Sequence, residues 1–166
     1  MHPTAPISIR LAEAADAPAL ATLLHGAFAE QRGQIAPESA ALSETSHSIA
    51  QRFADHTIAV AEQAGRLVGC VFYRPDGDEL YLGRLATAPE YRGQGIAAGL
   101  VAHVEAHARA RGAGAVTLGV RITLTRNRRF FEARGYRAVG IETHPGFAEP
   151  TSIRYVKTIR AEKLAE

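Results

Sequence analysis

Arg92, Gly93, Gln94, Gly95, Ile96 and Ala97 carry the clearest chemical content of this chain, because two glycines keep side chains off the backbone just before a helical run from Ala97 to Arg111. The first turn of a helix exposes N–H groups that have no partner and a partial positive charge, so this turn suits an anion, above all a diphosphate. Glycines also gather at turns and helix starts for conformational reasons alone, so the surroundings must carry the assignment. Ten arginines against three glutamates over 84–137 give a local +7, leaving −5 for the rest of a chain whose formal charge is +2. A polyanionic small ligand and a solvated arginine-rich helix surface both account for that asymmetry.

Glu79 and Tyr81 stand two apart on a strand-like run and share one of its sides, a placement that suits a general base, a solvated strand-end charge or a packing aromatic. Further along this run the hydrophobic phase slips: Leu80 and Leu82 alternate, but Leu85 lies an odd step beyond, so one extra residue near Gly83-Arg84 is expected. Such a β-bulge splays the strand from its neighbour and frees the backbone groups of Leu85, Ala86 and Thr87 for the amides of a ligand. Other constellations lead nowhere. His103 and His107 enclose Glu105 in the wrong order for a two-histidine zinc helix and fall off the buried stripe, so both are expected in solvent and no metal site is assigned. Cys70 sits in the apolar run Leu67 to Tyr73 as a buried thiol, and the absence of a Gly-x-Ser-x-Gly elbow leaves covalent acyl transfer unsupported.

The elements that must position these residues follow from patterning. A strand at Ile7 to Leu11 precedes a helix from Asp16, as N-cap, through Leu20, Leu23, Leu24 and Phe28; a second helix covers Ser43 to Ala54. Strands at Thr57 to Gln63, Arg66 to Tyr73 and Glu79 to Ala88, with turns at Ala64-Gly65 and Asp76-Gly77, make an antiparallel meander. The helix after the glycine turn, with Leu100, Val101, Val104 and Ala108 inward, ends at Gly112 and crosses to a strand at Ala115 to Arg121. A helix from Thr125 to Arg134 and strands at Tyr136 to Glu142 and Ser152 to Thr158 follow. This is one α/β domain over 7–160, with tails at 1–6 and 161–166: a mixed, mostly antiparallel sheet, flanked by helices on both faces and splayed in a central strand. With 166 residues and 46% hydrophobic residues it can bury a core of its own.

These residues identify the chain as similar to the GNAT superfamily, enzymes that move an acetyl group from acetyl-CoA to an amine. Arg92, Gly95 and Ala97 match the family's Arg/Gln-x-x-Gly-x-Gly/Ala pattern, and Pro89-Glu90-Tyr91 before them is typical. Asn127, Phe130-Phe131 and Gly135-Tyr136 resemble its closing helix. The resemblance implies that the CoA pyrophosphate lies on the N–H groups of Arg92, Gly93, Gln94, Gly95, Ile96 and Ala97. It also implies that the pantetheine arm pairs with Leu85, Ala86 and Thr87, and that Asn127, Phe130 and Phe131 flank it, with Arg126, Arg128 or Arg129 near the nucleotide. A neutral amine of a small molecule or peptide then attacks the thioester directly, with Tyr81 or Glu79 relieving it of a proton, since such amines titrate near ~10. Phe131 stands where the family often keeps a tyrosine that protonates the leaving sulfur. Phe28, Gln31, Arg32 and His144 would line the acceptor end of the cleft.

Other functions remain open at this stage. Gly93-x-Gly95-x-x-Ala98 with Arg121 fits a loosened NADP fingerprint, but Pro89 to Arg92 separate the glycines from the strand, unlike that fold. A CoA-binding sensor without turnover is the alternative that Phe131 makes more credible. Nucleic-acid binding lacks interleaved aromatics in the arginine-rich half. One cysteine and no stretch of ~20 apolar residues point to a cytoplasmic protein with no membrane partner; the resemblance is compatible with a homodimer.

Overall fold

The computed structural model describes residues 5–159. Parts of the tails expected at 1–6 and 161–166 therefore lie outside the described residues, as does residue 160 of the expected domain. The chain runs β1 (Ser8–Leu11), α1 (Ala17–Phe28), α2 (Ser46–Arg52), β2 (Thr57–Gln63), β3 (Arg66–Asp76), β4 (Glu79–Thr87), α3 (Ile96–Ala110), β5 (Ala115–Arg121), α4 (Thr125–Glu132), β6 (Arg137–Glu142) and β7 (Ser152–Thr158). One sheet orders them β1-β2-β3-β4-β5-β7-β6, and only β4 and β5 run parallel.

Alternation along the strands sorts their side chains onto two cores. Ile58, Val60, Cys70, Phe72 and Ala86 meet α1 and Ile49 of α2 on one face. Val68, Val71, Leu80, Leu82, Val116, Leu118 and Val120 meet α3 and Phe131 of α4 on the other. Helices thus cover both faces, but α1 and α2 cover only β2, β3 and β4. No helix of the described residues is long and apolar enough to cross a membrane.

The central strand carries the bulge. Cys70 pairs with Ala86 and Phe72 with Gly83, so Val71 of β3 is matched by both Arg84 and Leu85 of β4. Arg84 takes the left-handed conformation at φ 50, unusual for a side-chain-bearing residue. Beyond it Leu85 faces the α3 core and Ala86 the α1 core, as the slipped leucine phase demands.

Several local expectations need correction. Asp16 stands at the N-cap of α1 as expected but makes no side-chain capping bond, because its carboxylate is taken by Arg10 at 2.8 and 3.0 Å and by the Glu13 N–H at 2.7 Å. The second helix begins at Ser46 rather than Ser43: Thr45 and Ser48 exchange side-chain-to-backbone hydrogen bonds at its start, and 40–43 form a separate 3-10 turn. α4 stops at Glu132, where Tyr136 N–H reaches back to Phe131 O and Gly135 turns left-handed at φ 91. His103 and His107 are half-buried rather than fully in solvent. Both rings meet Tyr73 edge-on at 5.8 and 5.3 Å, and His103 Nε2 is 3.0 Å from the Tyr73 hydroxyl.

Candidate active site

The glycine turn becomes a cradle through its dihedrals. Gly93 and Gly95 both sit at φ 79, and Gly95 is the N-cap of α3 with no side-chain oxygen to cap the helix. Its carbonyl accepts the first helical bond from Gly99 N–H at 3.0 Å, whereas among the described residues nothing accepts from the N–H groups of Gly95, Ile96, Ala97 and Ala98. A Cβ on Gly93 or Gly95 would meet no atom within 4 Å, so glycine is required there by conformation and the space above stays open. Arg92 does not lie free beside this turn: its Nη1 contacts both Glu30 oxygens at 2.7 Å and its Nη2 donates to Ala27 O at 3.4 Å, tying the loop to the end of α1. The main-chain amides, rather than the Arg92 side chain, are therefore the groups left open at this turn.

Along β4 the sheet parts. β4 and β5 pair only at Glu79↔Ala115, Leu80↔Val116 and Tyr81↔Thr117, after which 82–87 and 118–121 run on without pairing to each other. Ala88 N–H donates to Val68 O at 2.8 Å, so by antiparallel alternation Ala86 also turns its backbone to β3. Leu85 and Thr87 then direct their N–H and C=O groups into the gap. Gly69 lets the start of α3 pack down on β3 and β4, for a Cβ there would stand 2.6 Å from Ile96 Cγ2 and 3.1 Å from Ala86 O.

Tyr81 and Glu79 share the face opposite α3. Glu79 accepts from Arg154 Nη2 at 3.3 Å; the Arg74 guanidinium lies 5.1 Å from the Tyr81 ring, and the Tyr81 hydroxyl is 3.9 Å from where a Cβ on Gly119 would stand. Arg84, at the bulge, reaches across to Glu44 at 3.1 Å in the connection between α1 and α2. Burial resists ionisation of Glu44, yet Ser48, Arg84 and Arg52 together hold its carboxyl below the usual carboxylate range. At the far rim the His144 N–H donates to Thr151 Oγ1 at 3.0 Å, beside the Ser152↔Arg121 pair. Burial and the nearby Arg121 cation push His144 below the usual histidine range, against a smaller opposing pull from Glu142.

The remaining expected residues divide by element. Asn127, Arg126 and Arg129 are exposed on α4, while Arg128 is tied to the Tyr155 hydroxyl and Ile122 O. Phe130 is half-buried beneath the Arg134 guanidinium at 3.8 Å, and Phe131 is buried edge-on to Tyr136 at 5.5 Å. Phe28 and Gln31 are half-buried at the end of α1 and in the turn after it; Arg32 is exposed. Sequence reasoning missed Gly69, Glu44 and Thr117, and considered Arg121 only as an NADP contact. A glycine in a continuous apolar strand was the one available signal for Gly69.

Residues 20–136 match the model of the Acetyltransferase (GNAT) family. Uncharacterised N-acetyltransferases of Mycobacterium tuberculosis and Mycobacterium bovis are each 34% identical over 116 residues, 66% of this chain and 74% of the relative. Among solved structures, the ribosomal-protein-S18-alanine N-acetyltransferase of Escherichia coli superposes with a TM-score of 0.77 at 19% identity, over 97% of this chain and 100% of that one. The PaiA N-acetyltransferase of Thermoplasma acidophilum in complex with coenzyme A gives 0.78 at 18%, over 92% and 99%. At those identities the structures speak for the fold; the family match speaks for the class. The chain belongs to the GNAT acetyltransferase family, so it is an acyltransferase with acetyl-CoA as its acyl donor. The open amide cradle and the parted strands fit that donor's diphosphate and its extended amide arm.

Proposed function

We propose that this protein transfers an acetyl group to the primary amine of a small molecule or peptide by direct attack, with no covalent enzyme intermediate. The observation that carries the reading is the loss of β4–β5 pairing after Tyr81–Thr117, together with a helix start, packed on Gly69 of β3 and close to Ala86 of β4, whose amides have no acceptor. Bound acetyl-CoA supplies a thioester carbonyl ready for an amine. The chain's own groups hold and orient: the amides of 92–97 grip the diphosphate, and the inward-facing groups of Leu85 and Thr87 hold the arm in extended form. Asn127, Phe130 and Phe131 flank it from α4.

The acceptor enters from the face that α1 and α2 leave open, between the segment of Phe28, Gln31 and Arg32 and the loop of His144. Tyr81 and Glu79 lie on that face, and the proton that an ammonium must lose before attack passes to the Glu79 carboxylate or, relayed through the Tyr81 hydroxyl as it releases its own proton, to water. Since Arg154 occupies Glu79, Tyr81 is the better placed of the two. A single buried thiol, Cys70, suits the reducing cytoplasm. The test is release of free thiol from acetyl-CoA on addition of amines, polyamines, amino acids or lysine peptides.

Phe131 supports a second reading, a sensor that binds acetyl-CoA without turning it over, because it puts a ring with no proton to donate where relatives often keep a tyrosine. Tight binding of acetyl-CoA with no thiol release across the acceptor classes decides for the sensor.

A further inference from the structure

Four buried side-chain polar atoms lack a hydrogen-bond partner among the described residues, and three of them share one side of the sheet at the β4–β5 gap: Arg84 Nε, Thr117 Oγ1 and Arg121 Nη1. Val116, Leu118 and Val120 belong to the α3 core, so alternation turns Thr117, Gly119 and Arg121 to the opposite face, where Tyr81 stands. Arg84 joins them from β4, on the side of Glu44. Thr117 is only 1% exposed and pairs with Tyr81 at the point where the strands separate.

A buried donor without an acceptor costs stability, and more so when it is charged. The local carboxylates do not relieve it. Glu79 is engaged by Arg154, and Glu44 by Arg52, Arg84 and Ser48. Register places Asp76 beside Glu79 at one end of this face and Glu142 across Ser152 from Arg121 at the other, yet among the described residues none of these carboxylates bonds the Arg121 guanidinium, which keeps its own attraction for an anion. Burial also lowers the Arg121 pKa, the sign of a guanidinium deprived of water without gaining an anion.

We infer that the acceptor is an amine that also carries a carboxylate: Arg121 holds the carboxylate in its planar fork, Arg84 flanks it from β4, and the amine is thereby directed to the gap beside Tyr81 and Thr117. This rests on the transferase reading above and narrows its substrate class. A guanidinium that keeps an unsatisfied N–H matches two coplanar carboxylate oxygens, whereas an amide or a second ammonium group leaves it unpaired.

The experiment measures thiol release from acetyl-CoA with matched acceptors: glycine, β-alanine and glutamate, the carboxamide of each, and putrescine. The expected result is a kcat/KM for the carboxylates about ten- to hundredfold above their amides, the equivalent of one or two charge-assisted hydrogen bonds. Arg121→Gln should bring that ratio close to one, and Arg121→Lys should retain part of it. Preference for amides or for putrescine, or a ratio untouched by Arg121→Gln, overturns the carboxylate site and leaves the transferase standing. No release with any acceptor, while acetyl-CoA still binds, overturns both. A second measurement needs no variant: N-acetylglycine should raise the Tm of the CoA-loaded protein more than N-acetylglycinamide does, and equal shifts overturn the inference.

Discussion

On the β2–β4 side of the gap the sheet is covered by α1 and α2 below and by α3 above, and its buried polar groups, Arg84 Nε apart, find partners within the chain. Glu44 receives Arg52, Arg84 and Ser48; Gln63 donates to Ala5 O at 2.6 Å; the Cys70 thiol lies 3.5 Å from Arg84 O. On the β5–β7 side only the α3 and α4 face is covered, every residue of β6 is exposed, and Thr117 and Arg121 keep buried atoms without partners. The contrast separates two uses of polar chemistry. Groups satisfied internally specify the fold, and groups left unsatisfied at an opening specify what the fold waits for.

The largest expected effect breaks the cradle. Gly95→Glu forces a side chain into the left-handed region at a cost of roughly 1–2 kcal/mol and brings a carboxylate to the amides. Calorimetry should show acetyl-CoA binding weakened by about a hundredfold, far more than that strain explains. Unchanged affinity would mean that the amides of α3 do not hold the diphosphate.

Next comes the self-satisfied half. Glu44→Gln should destabilise the fold by about 2 kcal/mol, since it strips charge from a buried carboxylate with several donors. The pH dependence has a definite sign. A carboxyl held below its ordinary range contributes stability above its unfolded pKa of ~4.3 and loses it as pH falls through the folded value. The urea midpoint of the native protein should therefore fall more steeply below that pH than the midpoint of Glu44→Gln; parallel curves would remove Glu44 from the acid limb.

Gly69→Val tests how the two regions are held together. The added carbons collide with Ile96 and Ala86, for a loss of about 1–3 kcal/mol and several degrees of Tm. Acetyl-CoA affinity should fall with it, because α3 must lift from β3. Loss of stability with intact binding would show that the cradle tolerates displacement.

Smaller still are the proton-handling substitutions. Tyr81→Phe should lower kcat about tenfold, less than the roughly hundredfold or more of a full acid–base group because water shares the proton relay, while leaving the KM for acetyl-CoA unchanged. Phe131→Tyr should raise kcat by about the few-fold that an added proton donor supplies to a thiolate able to leave unaided near its pKa of ~8.5. A rise in KM alone would assign position 131 to binding.

Much of the fold was readable because its signals are local. The slipped phase between Leu82 and Leu85 located the bulge, Ala64-Gly65 located the hairpin at φ 50 and 76, and alternation located β5 and β7 to the residue. Competition between partners defeated the same reasoning elsewhere. Asp16 is a good N-cap by type, but Arg10 lies within reach in space and takes its carboxylate. His103 and His107 lie off the leucine stripe, yet Tyr73 of β3 shields both.

By itself the sequence determined the glycine cradle, the bulge and the parted strands, since each depends on the conformational preferences of adjacent residues. The tertiary structure alone decided that Arg92 belongs to Glu30, that Gly69 must be small, and that Arg121 and Thr117 are buried without partners. Whether a polar group is satisfied depends on everything that surrounds it, and those neighbours come from distant parts of the chain.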